Sequence, residues 1–268
     1  MVTAQTAFVT GAGRGIGRAI AEALAGDGWN VALVARTRQQ LDDVASAIND
    51  RTGGRALAFP ADVREFSAIT SAVAQSEADL GPINLLVNNA GTGGPAGLEW
   101  EVDPTAWWEC IESIVRGAFT CTQAVLPNML ARRAGRIVDI ASITGTTAWP
   151  LVTATSLAKT ALIRRVEGLA AACADQGVTV FALHPGMVRT DLLMSYTSHP
   201  AMAAFLEGAP PEAFSPPELA ASIVACIARG ELDQLSGRFL DATTDLDILK
   251  TKAGQLGDDS LKLRVLPV

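Results

Sequence analysis

TAFVTGAGRGIGRAIAEALAGDGWNVALVAR, residues 6–36, decides the reading of the whole chain. An apolar strand (Ala7, Phe8, Val9) runs into Thr10-Gly11-Ala12-Gly13-Arg14-Gly15-Ile16-Gly17, then a helix (Ala19 to Ala25) and a second apolar strand (Val31 to Ala35). Gly11 permits the tight turn out of the strand, Gly15 lets backbone approach a pyrophosphate, and Gly17 lets the helix pack closely on the strand. The helix that follows points its free N–H groups and positive dipole end at that phosphate, with Ile16 of the turn among the expected cofactor contacts. A glycine triplet alone is weak evidence; between a strand and a helix inside a β-α-β unit it implies dinucleotide binding.

The rest of the chain extends this unit. Amphipathic 38–50 carries Leu41, Val44, Ala45 and Ile48 on one face, and Gly53-Gly54 stops it. Strands are expected at 56–59, 83–87, 137–140, 178–183 and 238–240. Helices are expected at 67–80, 103–133, 153–175 and 217–228, with Asp103 as N-cap and Pro104 at the first helical position. Such alternation gives a single-domain α/β fold over residues 1–268, a doubly wound parallel sheet of Rossmann type with helices on both faces. Its ligand belongs at the C-terminal ends of the strands.

Composition narrows the partners. With 49% hydrophobic residues, the 268-residue chain can cover both faces of a parallel sheet. A net charge of −7 argues against nucleic acid or an anionic membrane, since both require a basic patch. No apolar run approaches the roughly 20 residues of a membrane span. Four scattered cysteines (110, 121, 173 and 226) read as reduced core residues of a cytoplasmic protein. The two histidines, His184 and His199, are not in ligand spacing, so no metal site is expected. The first strand begins within about six residues, leaving no room for a targeting peptide.

With these landmarks in order, the chain closely resembles the short-chain dehydrogenase/reductase family over nearly its whole length. TGAGRGIG at 10–17 resembles that family's cofactor fingerprint, Asp62-Val63 its adenine contact, and Asn88-Asn89-Ala90-Gly91 its sheet-stabilising motif. His184-Pro185-Gly186, Val188 and Thr190 resemble the segment that holds the nicotinamide. The charges bear on which nicotinamide cofactor is used. An acidic residue ending the second strand would bind a ribose 2′-OH and repel a 2′-phosphate. Here Ala35 stands there, followed by Arg36, with Arg14 inside the glycine loop. Two guanidinium groups favour a phosphate, so NADP(H) is expected over NAD(H).

The catalytic positions depart from the family, which works with an Asn, a Ser, a Tyr and a Lys. Ser142 matches the serine and Lys159 the lysine, but Thr155 stands at the tyrosine's place, thirteen residues after the serine, and Ile114 at the asparagine's. A threonine hydroxyl cannot be tuned toward neutrality as a phenol of pKa about 10 can. The usual relay therefore cannot operate as built. Three readings stay open. The first is an NADP(H)-dependent oxidoreductase of small carbonyl or alcohol substrates. In it Ser142 holds the substrate oxygen, Lys159 the nicotinamide ribose, and a water beside Thr155 replaces the phenol. Tyr196 (the only tyrosine) or His199 could swing in from a lid over about 190–211. The second is non-redox isomerisation, cyclisation or elimination on a bulky molecule shaped by Trp100 and Trp149, with Ser142, Lys159 and Asp139. The third is a catalytically silent NADP(H)-binding protein. The family resemblance also implies a homodimer or homotetramer built on 103–133 and 153–175, where Ala158, Ala161, Leu162, Leu169 and Ala172 form a small-residue stripe. Trp107 and Trp108 read as packing or subunit-contact residues.

Overall fold

A computed structural model describes residues 5–52, 55–252 and 255–264, and the expected stop at Gly53-Gly54 lies outside them. Strand β1 (Thr6–Thr10) is buried at every position and leads through the glycine turn into α1 (Gly15–Gly26). That helix begins at Gly15 rather than at Ala19, because the turn feeds directly into it. Next come β2 (Asn30–Ala35), α2 (Arg38–Arg51), β3 (Ala56–Pro60), α3 (Phe66–Leu80) and β4 (Ile83–Asn88).

The expected 103–133 helix is two helices, α4 (Pro104–Ile111) and α5 (Gly117–Arg132), joined by a π turn over Glu112–Arg116. Asp103 caps its start by accepting from the Ala106 N–H at 2.8 Å, with Pro104 behind it. Then follow β5 (Gly135–Ile140), α6 (Thr153–Cys173) and β6 (Val178–His184). The lid segment, irregular by sequence, folds into two short helices, α7 (Asp191–Ser195) and α8 (Pro200–Gly208), with Tyr196–Ser198 as a 3-10 turn between them. The chain continues through α9 (Pro217–Ala228), β7 (Phe239–Asp241) and α10 (Leu246–Lys252), the last unannounced in the sequence.

The seven strands are parallel in the order β3-β2-β1-β4-β5-β6-β7. Two cores sandwich this sheet. One packs Ile20 and Leu24 of α1, Leu41 of α2 and Ile223 and Val224 of α9 on the first face. The other packs Ile69 and Val73 of α3, Val125 and Met129 of α5 and Val166 of α6 on the second. Burial on both faces is why the strands read as continuous Val, Leu, Ile and Ala runs. The order reverses between β1 and β4, which opens a crevice at their C-terminal ends. Among the described residues no helix is long and apolar enough to cross a membrane, and no group of three His, Cys, Asp or Glu side chains could hold a metal.

One polar cluster lies inside the second core. Asp139 on β5 is fully buried and accepts from Arg165 of α6 at 2.6 and 2.9 Å and from Asn88 Nδ2 at 2.8 Å. Asn88 and Asp139 are register partners on adjacent strands, and Thr122 of α5 accepts from both Asn88 and Arg165. The carboxylate weighed above as a catalytic group is thus spent on joining α5 and α6 to the sheet. Removing one member strands a buried charge, which costs about 3–5 kcal/mol, whereas removing both charges need not. Arg165→Leu is expected to lose about that much stability in urea unfolding, and Arg165→Leu with Asp139→Asn to recover most of it. Equal loss in both variants would refute the assignment.

Candidate functional site

The site is built at the β1–β4 crevice. Asn89, directly after β4, donates its main-chain N–H to Thr10 Oγ1 at 3.0 Å, and Ala90 does the same at 3.0 Å. The Asn89 amide Nδ2 reaches the Thr10 carbonyl at 2.9 Å and that of Gly11 at 3.3 Å. These bonds pin the end of β4 to the glycine turn. Gly11 (φ 65°) and Gly15 (φ 55°) take left-handed backbone. At Gly17 a Cβ would overlap the Gly11 carbonyl and stand 2.5 Å from Asn89 Nδ2, so only glycine lets α1 sit this close.

A cleft of about 540 Å³ opens above this turn. Gly11, Arg14, Gly15, Ile16, Arg36, Asp62, Val63, Asn89, Ala90, Gly91 and Thr190, all expected from sequence, line it. Gly17 lies beneath it, and Pro185, Gly186 and Val188 are buried behind it at the end of β6. Arg36, an exposed side chain, makes no hydrogen bond or ion pair with the described residues. Arg14 instead forms an ion pair with Asp191 at the start of α7, a strap from the glycine turn to the lid. Thr190 caps that helix, accepting from the Leu193 N–H at 3.2 Å.

Sequence reasoning missed Arg64, Gln40 and Arg189, which also line the cleft. Arg64 clamps Asp62, with Nη2 2.7 Å and Nε 3.1 Å from its oxygens, and this bond holds the Asp62 carboxyl below the ordinary carboxylate range. Its position two residues after Asp62 was the available signal. The Arg189 guanidinium stacks 3.6 Å over the Phe214 ring, a contact no spacing announces.

The residues that the family resemblance leads one to expect at the catalytic positions are not among those that line this cleft. Ser142 follows β5 and accepts from the Thr144 N–H at 3.2 Å. Lys159 of α6 donates Nζ to the Ile140 carbonyl at 2.5 Å, and burial brings its pKa down to about 8. Burial also lowers His184, whose Nδ1 accepts from the Ile143 N–H at 3.3 Å. Ile114, in the π turn, is buried with Cys110, Ala118, Ala154, Ala158 and Leu162 and presses against Gly91. The position expected to match the asparagine is therefore an apolar plug. Thr155 is buried; its Oγ1 lies 2.5 Å from the Gly93 carbonyl and 2.7 Å from the Tyr196 hydroxyl. Tyr196 itself reaches the Gly93 carbonyl at 2.6 Å. Burial pushes its phenol far above the ordinary value. His199 serves as the N-cap of α8, its Nδ1 accepting from the Ala201 N–H at 3.2 Å.

The profile described as short chain dehydrogenase matches residues 5–201. A short chain dehydrogenase of Pseudocercospora fijiensis (strain CIRAD86) is 35% identical over 276 residues, spanning 97% of this chain and 88% of that protein. The acetoacetyl-CoA reductase of Paracoccus denitrificans is 32% identical over 234 residues, spanning 87% of this chain and 94% of that one. The crystal structure of a Sinorhizobium meliloti 1021 protein assigned as a short-chain alcohol dehydrogenase is similar at a TM-score of 0.81 and 30% identity, covering 90% of this chain and 95% of that one.

Asn89→Ala removes the amide that ties β4 to the turn and leaves the Gly11 carbonyl without that donor. Losing such bonds costs about 1–3 kcal/mol. The expected results are a lower melting temperature by calorimetry and a dinucleotide affinity weakened by about tenfold or more; unchanged affinity would contradict this role.

Proposed function

This chain belongs to the short-chain dehydrogenase/reductase family of nicotinamide-dependent oxidoreductases, and we propose that it is an NADP(H)-dependent member acting on a carbonyl or alcohol group of a small molecule. The glycine turn supports the fit to a dinucleotide, because any side chain at Gly11 or Gly17 would overlap Asn89 or the turn's own carbonyl. The bare backbone leaves room for a pyrophosphate against the α1 N-terminus. Support for the phosphorylated form comes from Ala35 and Arg36: β2 ends without a carboxylate, and the adjoining guanidinium lines the cleft with no hydrogen bond or ion pair among the described residues, its charge felt by Asp62 across the cleft.

The observation that carries the redox reading is Lys159 of α6, whose Nζ is tied to the carbonyl of Ile140, the last residue of β5 and two residues before Ser142. When bound, the dinucleotide supplies the hydride. Ser142 spends its Oγ as acceptor for Thr144 and keeps its own O–H for the substrate oxygen. Thr155 and Tyr196 keep their protons within a buried cluster. Lys159 Nζ is the remaining acid: with a pKa near 8 it can give a proton to the substrate oxygen in reduction and take one back in oxidation. A group so matched to neutral pH contributes typically ~10²–10⁴-fold.

The exposed Trp108, Phe119 and Leu157 on α4, α5 and α6 support a homodimer through this face. Ala158 and Leu162 of the small-residue stripe are instead buried within the chain. Four buried, unpaired cysteines suit a reducing compartment such as the cytoplasm.

Two measurements test the proposal. Titration calorimetry is expected to give tighter binding of NADPH than of NADH. Arg36→Asp should weaken NADPH by roughly tenfold to hundredfold, the range of one charge-assisted bond, and equal affinities in the parent protein would refute the cofactor assignment. In reduction, the acid form of Lys159 is required, so the rate should be level at low pH and fall as pH rises through about 8. Oxidation needs the base form and should rise through the same pH. A reduction profile without that fall would exclude Lys159 as the proton donor.

A further inference from the structure

Tyr196 is the only tyrosine in the chain, and the lid carries it into the space beside Thr155, where the family's own catalytic phenol would begin. Its side chain is 5% exposed and Thr155 is 6% exposed. The three oxygens of Tyr196, Thr155 and Gly93 lie within 2.5–2.7 Å of one another. The Gly93 carbonyl only accepts, so two hydroxyl protons serve three contacts. Such a corner is complementary to one incoming hydroxyl that can both donate and accept.

The rest of the side chain is enclosed by apolar groups. Val152, Ala96, Trp149 and Leu151 come from the body of the fold, outside the lid. Thr155 and Gly93 belong to the body too, so these walls stay when the lid lifts, while Met202, Leu192 and Leu193 of the same cluster leave with it. Trp149 is tethered to the segment after Ser142, its Nε1 donating to Thr147 Oγ1 at 2.9 Å, which in turn donates to the Ile143 carbonyl at 3.2 Å. The lid meets it edge to face through Phe205 of α8, ring centroids 5.7 Å apart. An aromatic ring with a hydroxyl at its far end is the shape the niche accommodates, and Tyr196 is such a ring.

We propose that Tyr196 is an internal ligand, and that the niche of Thr155, Gly93, Val152 and Trp149 is a binding subsite for the phenol ring of a hydroxyaryl substrate, which displaces Tyr196 as the lid opens. The substrate class follows from the occupant, and the inference rests on the reading of this site as one for small carbonyl or alcohol compounds. The niche takes the ring as a neutral phenol, because burial disfavours the phenolate, as it does for Tyr196 itself.

The test uses 4-hydroxyacetophenone, with 4-methoxyacetophenone as the probe that lacks the donor, in titration calorimetry on the full chain. The parent protein is expected to bind the hydroxy compound more tightly than the methoxy one. Tyr196→Ala, which removes the internal competitor, should bind it about tenfold more tightly still, without the same gain for the methoxy compound. Tyr196→Phe retains the ring that packs the lid and loses only the two hydroxyl contacts; it should show a smaller gain in the same sense, which guards against a folding failure in the alanine variant. Adding Thr155→Val to Tyr196→Ala should erase the preference for hydroxyl over methoxy. Both Tyr196 variants binding the hydroxy probe no more tightly than the parent, or either compound bound alike throughout, would overturn the proposal. Calorimetry reads the niche, and NADPH oxidation with the same ketone reads the redox activity, so the failure of one is distinguishable from the failure of the other.

Discussion

Asn89 is the residue on which the site depends. A doubly wound sheet separates at the point where its strand order reverses, here between β1 and β4, and that gap is useful only if its two lips are held in register. Asn89 does so with one side chain and its own main-chain N–H, reaching Thr10 and Gly11 across the crevice. The same amide sits where a Cβ at Gly11 or Gly17 would fall, so the glycines and the asparagine constrain one another. The turn must be glycine because Asn89 is there, and Asn89 can bridge because the turn is glycine.

Away from the crevice, Ile114 and Thr155 are held by packing and by a buried hydroxyl cluster. Ile114 fills its position with hydrocarbon among Cys110, Ala154 and Leu162, which removes any polar anchor there for water. Thr155 leaves a void where a phenol would extend, and packed interiors do not keep voids of that size without penalty. Tyr196 fills it from the lid, bonded to the group whose shortness made the room. The two substitutions and the lid tyrosine form one arrangement. Those hydroxyls are committed to each other and to Gly93, and burial lowers the pKa of Lys159 to about 8.

The alternation of strands and helices, the glycine turn and the Asp103-Pro104 helix start were all legible in the sequence, because each depends on residues close together in the chain. The NNAG segment was recognised only by its family resemblance, since its bonds to Thr10 and Gly11 join residues far apart in the chain. Local periodicity and capping chemistry act within a few residues, and the structure reproduces them. The π turn, the two lid helices and the role of Asp139 were not legible. The sequence left Asp139 open between a catalytic group and a paired or solvated carboxylate; Arg165, twenty-six residues away, makes it a buried structural charge.

The sequence by itself determined the architecture and the glycine turn at the β1–β4 crevice, and it set Thr155 and Ile114 where the family resemblance leads one to expect a tyrosine and an asparagine. Only the tertiary structure decided what stands in their places. Thr155 and Tyr196 are 41 residues apart, and no pattern of spacing links them. Arg14 meets Asp191 across 177 residues, so the strap between glycine turn and lid is equally silent in the sequence. The physical reason is common to both. Hydrogen bonds and ion pairs depend on distance in space, and for side chains on separate elements that distance exists only once the sheet has brought them together.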